Sequence, residues 1–340
     1  MTPKDAATSS GGVSDPRPEQ QSIQNLQIKH REIFTRAVSN VLSSPIAEVT
    51  FAQIVDGLPL SDVALDTYAG TVCPGHPLLD ERVELSPGVL EKARQLRSTF
   101  DATTLRFDSK LLRAYQAAAP GSRSFQTNLI ELVARAIHYI GIWLFKQGSY
   151  MTPSNDLVSW KPSDEDEAFY PHGYPPTLFW HPWYHDYDQY PEGVADGVGY
   201  WAEARIFGGV VLFDRRHVSD ASTESHDVYL HSDRRDVTYR IFKLLDEQKH
   251  SLVQFLLSDV TPPPSCPLPL LGDVHNRERV DPEEPITSTG IYRDEWERKP
   301  PSEDDWDRRR RDVVDTFNYI SQDDWAAAKT RAIMKRFRPL

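Results

Sequence analysis

The sequence predicts an α+β protein in which N-terminal helices pack on a small, mainly antiparallel sheet. Three observations predict this fold class. Apolar residues recur at three- and four-residue spacing through the first half of the chain, and the spacing changes to two after Tyr200. Pro is also abundant, at 26 of 340 residues. This Pro content excludes a coiled coil and an all-helical bundle, and it predicts many irregular connections.

The predicted organisation has four parts. Residues 1–22 are rich in Ser, Gly, Pro and charge, so they bury too little surface to fold and form a disordered tail. Residues 23–260 form a single α+β globular domain. Residues 261–280 are a Pro-rich connector, and residues 281–340 form a long charged C-terminal extension with one terminal helix, at 322–337.

The N-terminal part of the domain is predicted to be helical in segments. A helical period runs from Ile23 and ends at Pro45, because Pro cannot continue a helix interior. Residues 46–87 are interrupted by Gly and Pro and are predicted to be mostly loop. Ser86 and Pro87 begin the next helix, as N-cap and first-turn residue, and a further helix lies near 108–118.

The strongest helical period follows Gly121. Its apolar residues cover more than half of the circumference, which predicts a central core helix that stops at Gly148. The most apolar run, Ala136 to Phe145, is shorter than the about 20 residues that cross a bilayer. We therefore expect a buried helix and no membrane span.

After Tyr200 the pattern predicts a strand. The pattern extends to Phe213: one face carries Ala202, Ala204, Ile206, Val210 and Leu212, and the opposite face carries Trp201, Glu203, Arg205, Phe207, Val211 and Phe213. Gly208 and Gly209 predict a bulge or a close approach of another backbone. A second strand pair is predicted at 227–232 and 237–244, followed by a helix at 246–258.

Composition excludes several classes of function. The net charge of −12 argues against nucleic acid as a partner and against an anionic membrane surface. Two Cys residues, far apart, are typical of a reducing compartment, and the N-terminus has no secretory signal. We expect a cytoplasmic protein. A nuclear one is the alternative, since Arg308 to Arg311 form a basic run, although Asp residues flank it.

The most informative stretch is the aromatic-rich loop, residues 169–191. It holds nine aromatic residues, three His and five Pro. Pro fixes the shape of a loop, and aromatic side chains give large contact areas with few torsions to order. Two interpretations stay open: a rigid wrap over the core, or a site that offers Trp180, Trp183 and Tyr184 to a ligand or partner.

Two sets of residues could carry acid–base chemistry. His181, His185 and Asp186 lie close together in the loop, where hydrogen-bonded histidines are favoured over metal ligands, so we assign no metal and no cofactor. On the predicted strand, Glu203 could act as a general base and Arg205 as an anion clamp. Trp201 would flank them and His231 could face the same space. The alternative is an exposed Glu203–Arg205 ion pair.

The run from Gly173 to Arg215 resembles a block in an uncharacterised protein family of filamentous fungi. The resemblance extends from about Gln27 to the C-terminal tail. It implies a fungal intracellular protein, with secondary metabolism as one context, and it carries no activity, cofactor or catalytic residue.

Two functions follow as hypotheses. The first is a non-catalytic interaction or accessory protein whose aromatic loop contacts a protein partner. The second is an enzyme that acts on a small organic ligand by acid–base chemistry. An enzyme requires a concave pocket of about 300–1,000 Å³ with converging polar groups, whereas an accessory protein requires exposed apolar surface.

Overall fold

The structure is a computed structural model that describes residues 19–67, 72–148, 157, 160–164, 170, 173–216, 225–260, 263–299 and 321–336. It confirms the α+β fold class. A five-stranded antiparallel sheet of order β6-β5-β4-β3-β7 and a two-stranded sheet, β1-β2, accompany the helices.

The described helices and strands follow in chain order. The helices are α1 (Ile28–Leu42), α2 (Pro45–Asp56), α3 (Ser61–Leu65), α4 (Leu78–Glu81), α5 (Val89–Thr99), α6 (Ser109–Ala117), α7 (Arg123–Lys146), α8 (Val194–Phe207), α9 (Asp246–Leu257), α10 (Ile286–Thr289) and α11 (Gln322–Arg336). The strands are β1 (Gln20–Ser22), β2 (Arg106–Asp108), β3 (Val210–Asp214), β4 (Val228–His231), β5 (Ile241–Lys243), β6 (Arg279–Val280) and β7 (Ile291–Tyr292).

The N-terminal region differs from the prediction in two places. Gln20–Ser22, placed in the disordered tail, forms β1 and pairs with β2, while residues 1–18 lie outside the described part. Residues 46–56, predicted as loop, belong to α2. Pro45 begins this helix instead of ending the previous one, because the Ser44 hydroxyl accepts a hydrogen bond from the Ala47 N–H and Pro occupies the first turn.

The middle helices agree more closely with the prediction. α5 begins at Val89, just after the predicted Ser86-Pro87 start, and α6 and α7 lie where the periodicity places them. α7 is the one described helix that is long and apolar enough to span a membrane, but 72% of its apolar window is buried. It packs against α1, α2, α6 and α8, as expected of a core helix.

The predicted strand after Tyr200 is right for residues 210–214, which form β3, and wrong for residues 200–207, which belong to α8. Residues 195–207 are all buried, so the helix has no polar face and shows no helical period. The alternation of large and small side chains there imitates a strand. α8 ends at Gly208, whose φ of +100° favours glycine. The expected close approach is real, since a Cβ on Gly208 would lie 2.1 Å from the Leu270 carbonyl oxygen.

The sheet extends beyond the predicted domain end at residue 260. β3 and β4 pair antiparallel, with Val210 opposite His231, and β4 pairs with β5 inside the two predicted strand regions. The edge strands β6 and β7 come from the predicted connector and charged extension. The folded body therefore includes residues 279–292, because the short sheet needs partners for its outer strands.

Candidate functional site

The residues proposed for acid–base chemistry occupy separate environments. Glu203 and Arg205 both lie on α8, where two consecutive steps of 100° turn them to nearly opposite sides of the helix. The shared face that a strand would have given them does not exist. The expected exposed ion pair between them is also absent, since both side chains are buried and each binds other partners.

Glu203 is fully buried in a pair with Arg293. Nη1 of Arg293 lies 2.7 Å from each carboxylate oxygen, and the Val211 N–H donates to Oε1 at 2.7 Å. Burial alone would raise the pKa of Glu203, but the Arg293 guanidinium and the nearby His138 hold this pKa below its usual value. The carboxylate is ionised, and it accepts a hydrogen bond from the backbone of β3.

Arg293 links Glu203 to a longer chain of buried charges. Its Nε donates to Asp294 at 3.1 Å, and Asp294 accepts a 2.8 Å bond from Arg135 on α7. Arg135 also binds Glu131, one helical turn earlier, and Glu131 binds Arg215 at 2.6 Å. Opposite charges therefore alternate along a path from α8, through the turn after β7, to α7. We call the following residues the charge network: Glu203, Arg293, Asp294, Arg135, Glu131, Arg215 and His138.

His138 on α7 joins the network from the other side. Its Nε2 lies 3.0 Å from Asp196 Oδ1, and its Nδ1 lies 3.7 Å from Glu203 Oε2. Burial would lower the pKa of His138, but the hydrogen bond to Asp196 and the proximity of Glu203 raise it. The ring lies on the backbone of Gly199, where a Cβ would approach it to 2.9 Å.

Arg205, the predicted anion clamp, is occupied by the chain's own carboxylates. Its Nη1 lies 3.1 Å from Asp233 Oδ2 and its Nη2 lies 2.8 Å from Asp66 Oδ2. Arg234 binds the same Asp66 oxygen at 2.8 Å. The guanidinium is buried, so it fixes α8 to two loops.

His181 and His231 lie against each other, and both bind the chain's own groups as neutral side chains. His181 Nε2 donates to the His231 carbonyl at 3.1 Å, and its Nδ1 accepts from the Trp183 N–H at 3.2 Å. His231 Nε2 donates to the Tyr239 carbonyl, and its Nδ1 accepts from the Tyr184 hydroxyl at 3.2 Å. Burial lowers the pKa of His181 to about 4 and that of His231 well below its usual value.

His185 and Asp186 lie away from Glu203, at the outer part of the loop. The His185 ring is half-buried against Trp180, with centroids 5.6 Å apart. Asp186 Oδ2 accepts from the Lys299 N–H at 3.1 Å, and the Lys299 ammonium binds Asp188 at 2.7 Å. Among the residues that the structure describes, no group of three or more His, Cys, Asp or Glu side chains is placed to hold a metal ion.

The aromatic residues of the loop divide into inner and outer rings. Phe179 and Tyr184 are buried against α8: Tyr184 lies 4.6 Å from the Tyr200 ring, and Phe179 lies 4.7 Å from the ring of Trp201, which is also buried. We call the partly exposed Tyr174, Trp180 and Trp183 the outer rings. Phe169, Pro171 and His172 of the predicted loop lie outside the described residues.

Two cavities lie elsewhere. One, of about 380 Å³, follows the outer face of α1 and is lined by Arg31, Glu32, Thr35, Arg36 and Ser39. The other, of about 200 Å³, lies between residues 243–246 and 275–278. Neither cavity contains a residue proposed for catalysis or ligand binding.

The chain matches no family model, no curated protein and no solved structure. The resemblance to uncharacterised fungal proteins therefore stays an expectation.

Sequence reasoning missed the partners that matter most to Glu203. Arg293 lies 90 residues further along the chain, in the predicted charged extension. His138 is hidden in the most apolar part of α7. A signal for His138 was present, since Glu131, Arg135 and His138 recur at four and three residues and so share one face of the helix.

Proposed function

We propose that this protein is a non-catalytic interaction protein that contacts a protein partner through the outer rings. One observation carries the proposal: the inner part of the loop is fixed by hydrogen bonds while the outer rings stay partly exposed, with Tyr174 at 40%. A surface that is ordered before binding loses little conformational entropy on binding. Trp and Tyr are also the residues most enriched among interface hot spots.

The loop is anchored at several points along its length. The Tyr190 hydroxyl donates to the Glu297 carbonyl at 2.9 Å, and the Asp186 carboxylate binds the Lys299 N–H. Tyr184 and His181 tie the loop to β4 through His231. These bonds hold the part of the loop that carries Trp183, and a 2.7 Å hydrogen bond between the Tyr174 hydroxyl and His76 Nε2 holds Tyr174.

The alternative, an acid–base enzyme acting on a small organic substrate, has less support. Glu203 and Arg205 are buried and bound to Arg293, Asp233 and Asp66, so neither offers a free group to a substrate. His181 and His231 use both ring nitrogens for internal hydrogen bonds.

We place the protein in a reducing compartment such as the cytoplasm. Cys73 and Cys266 form no disulfide in the part of the chain that the structure describes, and Cys266 is exposed. An exposed unpaired thiol is typical of proteins that work where disulfides are kept reduced.

The test compares two triple variants in affinity capture from extracts of the producing cells. The first replaces the outer rings, as Tyr174→Ala, Trp180→Ala and Trp183→Ala. The matched control removes three other exposed apolar side chains, as Ile28→Ala, Val83→Ala and Val260→Ala, which are 65%, 70% and 61% exposed.

We expect at least one protein of the extract to be captured by the wild type and by the control, and not by the outer-ring variant. The purified pair should then bind directly in a calorimetric titration. Equal retention by the outer-ring variant, or no direct binding by any captured protein, would refute the proposal.

A further inference from the structure

Three aromatic side chains lie close together on the surface, and each is at least partly exposed. They are Trp160, Tyr170 and Tyr174, and we call them the aromatic box. The ring centroids are 5.2 Å apart for Tyr170 and Tyr174, 5.4 Å apart for Trp160 and Tyr174, and 6.5 Å apart for Trp160 and Tyr170. The three ring planes are inclined to one another by 54°, 74° and 75°, so the rings do not form a parallel stack.

The hydroxyl ends of the two Tyr rings are fixed by the folded body. The Cys73 N–H donates to the Tyr170 hydroxyl at 3.1 Å. His76 Nδ1 accepts from the Leu78 N–H, so Nε2 carries the proton and donates to the Tyr174 hydroxyl at 2.7 Å. His76 is 1% exposed whereas Tyr174 is 40% exposed, so Tyr174 presents its ring to solvent while its hydroxyl binds a buried group.

One cation can contact all three rings of the aromatic box. A cation about 3 Å above the plane of the three centroids would lie about 4.5 Å from each centroid, within the distance of about 6 Å at which a ring face attracts a cation. The His76 ring lies 4.2 Å from Trp160, and burial lowers the pKa of His76. The neighbouring imidazole is therefore neutral and does not repel a cation at this place.

We propose that the aromatic box binds a quaternary ammonium group, the chemistry shared by choline and trimethylated lysine. Aromatic cages recognise this ion through the ring faces, without hydrogen bonds to the cation. A primary ammonium fits less well, because it is strongly hydrated and carries three N–H donors, while both Tyr hydroxyls are already bound to groups of the chain. The aromatic box shares only Tyr174 with the outer rings, so the ligand site and the proposed partner surface can be tested separately.

The experiment titrates the full-length chain with choline chloride at constant ionic strength. The matched neutral ligand is 3,3-dimethylbutan-1-ol, in which carbon replaces the nitrogen of choline. We expect saturable binding of choline with a Kd at or below about 1 mM, and binding of the neutral alcohol that is weaker by about tenfold or more, because the two ligands have the same shape and only choline carries charge.

Variants then assign the binding to the aromatic box. Trp160→Ala should weaken choline binding by about tenfold or more, and Trp160→Phe should weaken it less, because a Phe face attracts a cation less strongly than a Trp face. Trp183→Ala, an outer ring outside the aromatic box, should leave the Kd for choline unchanged. Far-ultraviolet circular dichroism checks that each variant is folded.

The source of the quaternary ammonium is identified with a peptide that carries one trimethyllysine and with the same peptide carrying unmodified lysine. Tighter binding of the trimethylated peptide than of choline supports the proposal and assigns the aromatic box to a modified protein. Tighter binding of choline supports it equally and assigns the aromatic box to a small ligand. The unmodified peptide should bind more weakly than the trimethylated one in either case.

Three results would overturn the proposal. The first is no saturable binding of choline or of the trimethylated peptide up to about 10 mM, a concentration well above the expected Kd. The second is equal binding of choline and the neutral alcohol, or of the two peptides. The third is a Kd for choline that Trp160→Ala leaves unchanged or, if that variant does not fold, that Trp160→Phe leaves unchanged.

Discussion

Removing Arg293 tests whether the charge network holds the fold together. Its side chain is 1% exposed and its Nη1 binds both oxygens of Glu203, whose side chain is 0% exposed. In Arg293→Met, Glu203 keeps the Val211 N–H but loses its main opposite charge, while Asp294 keeps Arg135. Breaking one partner out of a buried pair costs about 3–5 kcal/mol, so we expect a loss of that size in the free energy of unfolding.

The double variant Arg293→Met/Glu203→Gln distinguishes two causes of the loss in the free energy of unfolding: an unpaired buried charge and lost packing. The Gln carbonyl can still accept the Val211 N–H, and the uncompensated carboxylate is gone. Replacing both members of a buried pair is often close to neutral, so the double variant should recover more than half of the loss. Arg94→Met is the matched control, because Arg94 pairs with Glu48 on the surface and its side chain is 48% exposed.

The assay is urea unfolding followed by Trp fluorescence and by far-ultraviolet circular dichroism, with coincident transitions required before energies are derived. The control should leave the urea midpoint close to wild type. A loss below about 1 kcal/mol for Arg293→Met, or a double variant no more stable than the single one, would refute the reasoning that a buried unpaired carboxylate is the source of the cost.

Three further predictions rest on the same contacts. The pKa of His138 is raised in the fold, so its contribution to stability is complete below about pH 6.5 and is lost as the pH rises through the folded pKa. The urea midpoint of the wild type should therefore fall between about pH 6 and 9, and His138→Gln should make this fall smaller. An unchanged slope of urea midpoint against pH would contradict this. Gly208→Ala should lower the Tm far more than Gly121→Ala, because both glycines have positive φ but only Gly208 faces a backbone oxygen; equal losses would mean that φ alone decides. Tyr184→Ala should make the loop between Tyr170 and Tyr190 more sensitive to chymotrypsin than in the wild type, and equal cleavage rates would show that the Tyr184–His231 bond does not anchor it.

The elements that the sequence predicts well are helices with a clear helical period. α6, α7 and α9 lie within a few residues of their predicted positions. In α6 and α9, apolar side chains recur at three and four residues because one face meets the core and the other meets water, and α7 keeps this period although it is a core helix. The strands β4 and β5 lie inside the two predicted strand regions.

α8 shows why the same reasoning fails for a helix enclosed on all sides. Residues 195–207 are all buried, so no polar residues recur at the helical period. The large and small side chains there alternate by chance, as they would in a strand. The predicted strand put Glu203 and Arg205 on one face and so suggested that they share a site, whereas the helix turns their side chains to nearly opposite sides. The wrong secondary structure therefore led directly to a wrong functional site.

The charge network points to a pattern that sequence reasoning can use. Glu131, Arg135 and His138 follow the apolar period of α7, and Asp196 and Glu203 lie seven residues apart on α8. Charges at core spacing in the most apolar helices of a chain cannot all be solvated, because burying an unpaired charge costs several kcal/mol. Two such stripes predict helices that face each other, and α7 and α8 do pack together with His138 between the two carboxylates of α8. Arg293 could not be found in this way, because only the fold brings a residue from the turn after β7 against α8.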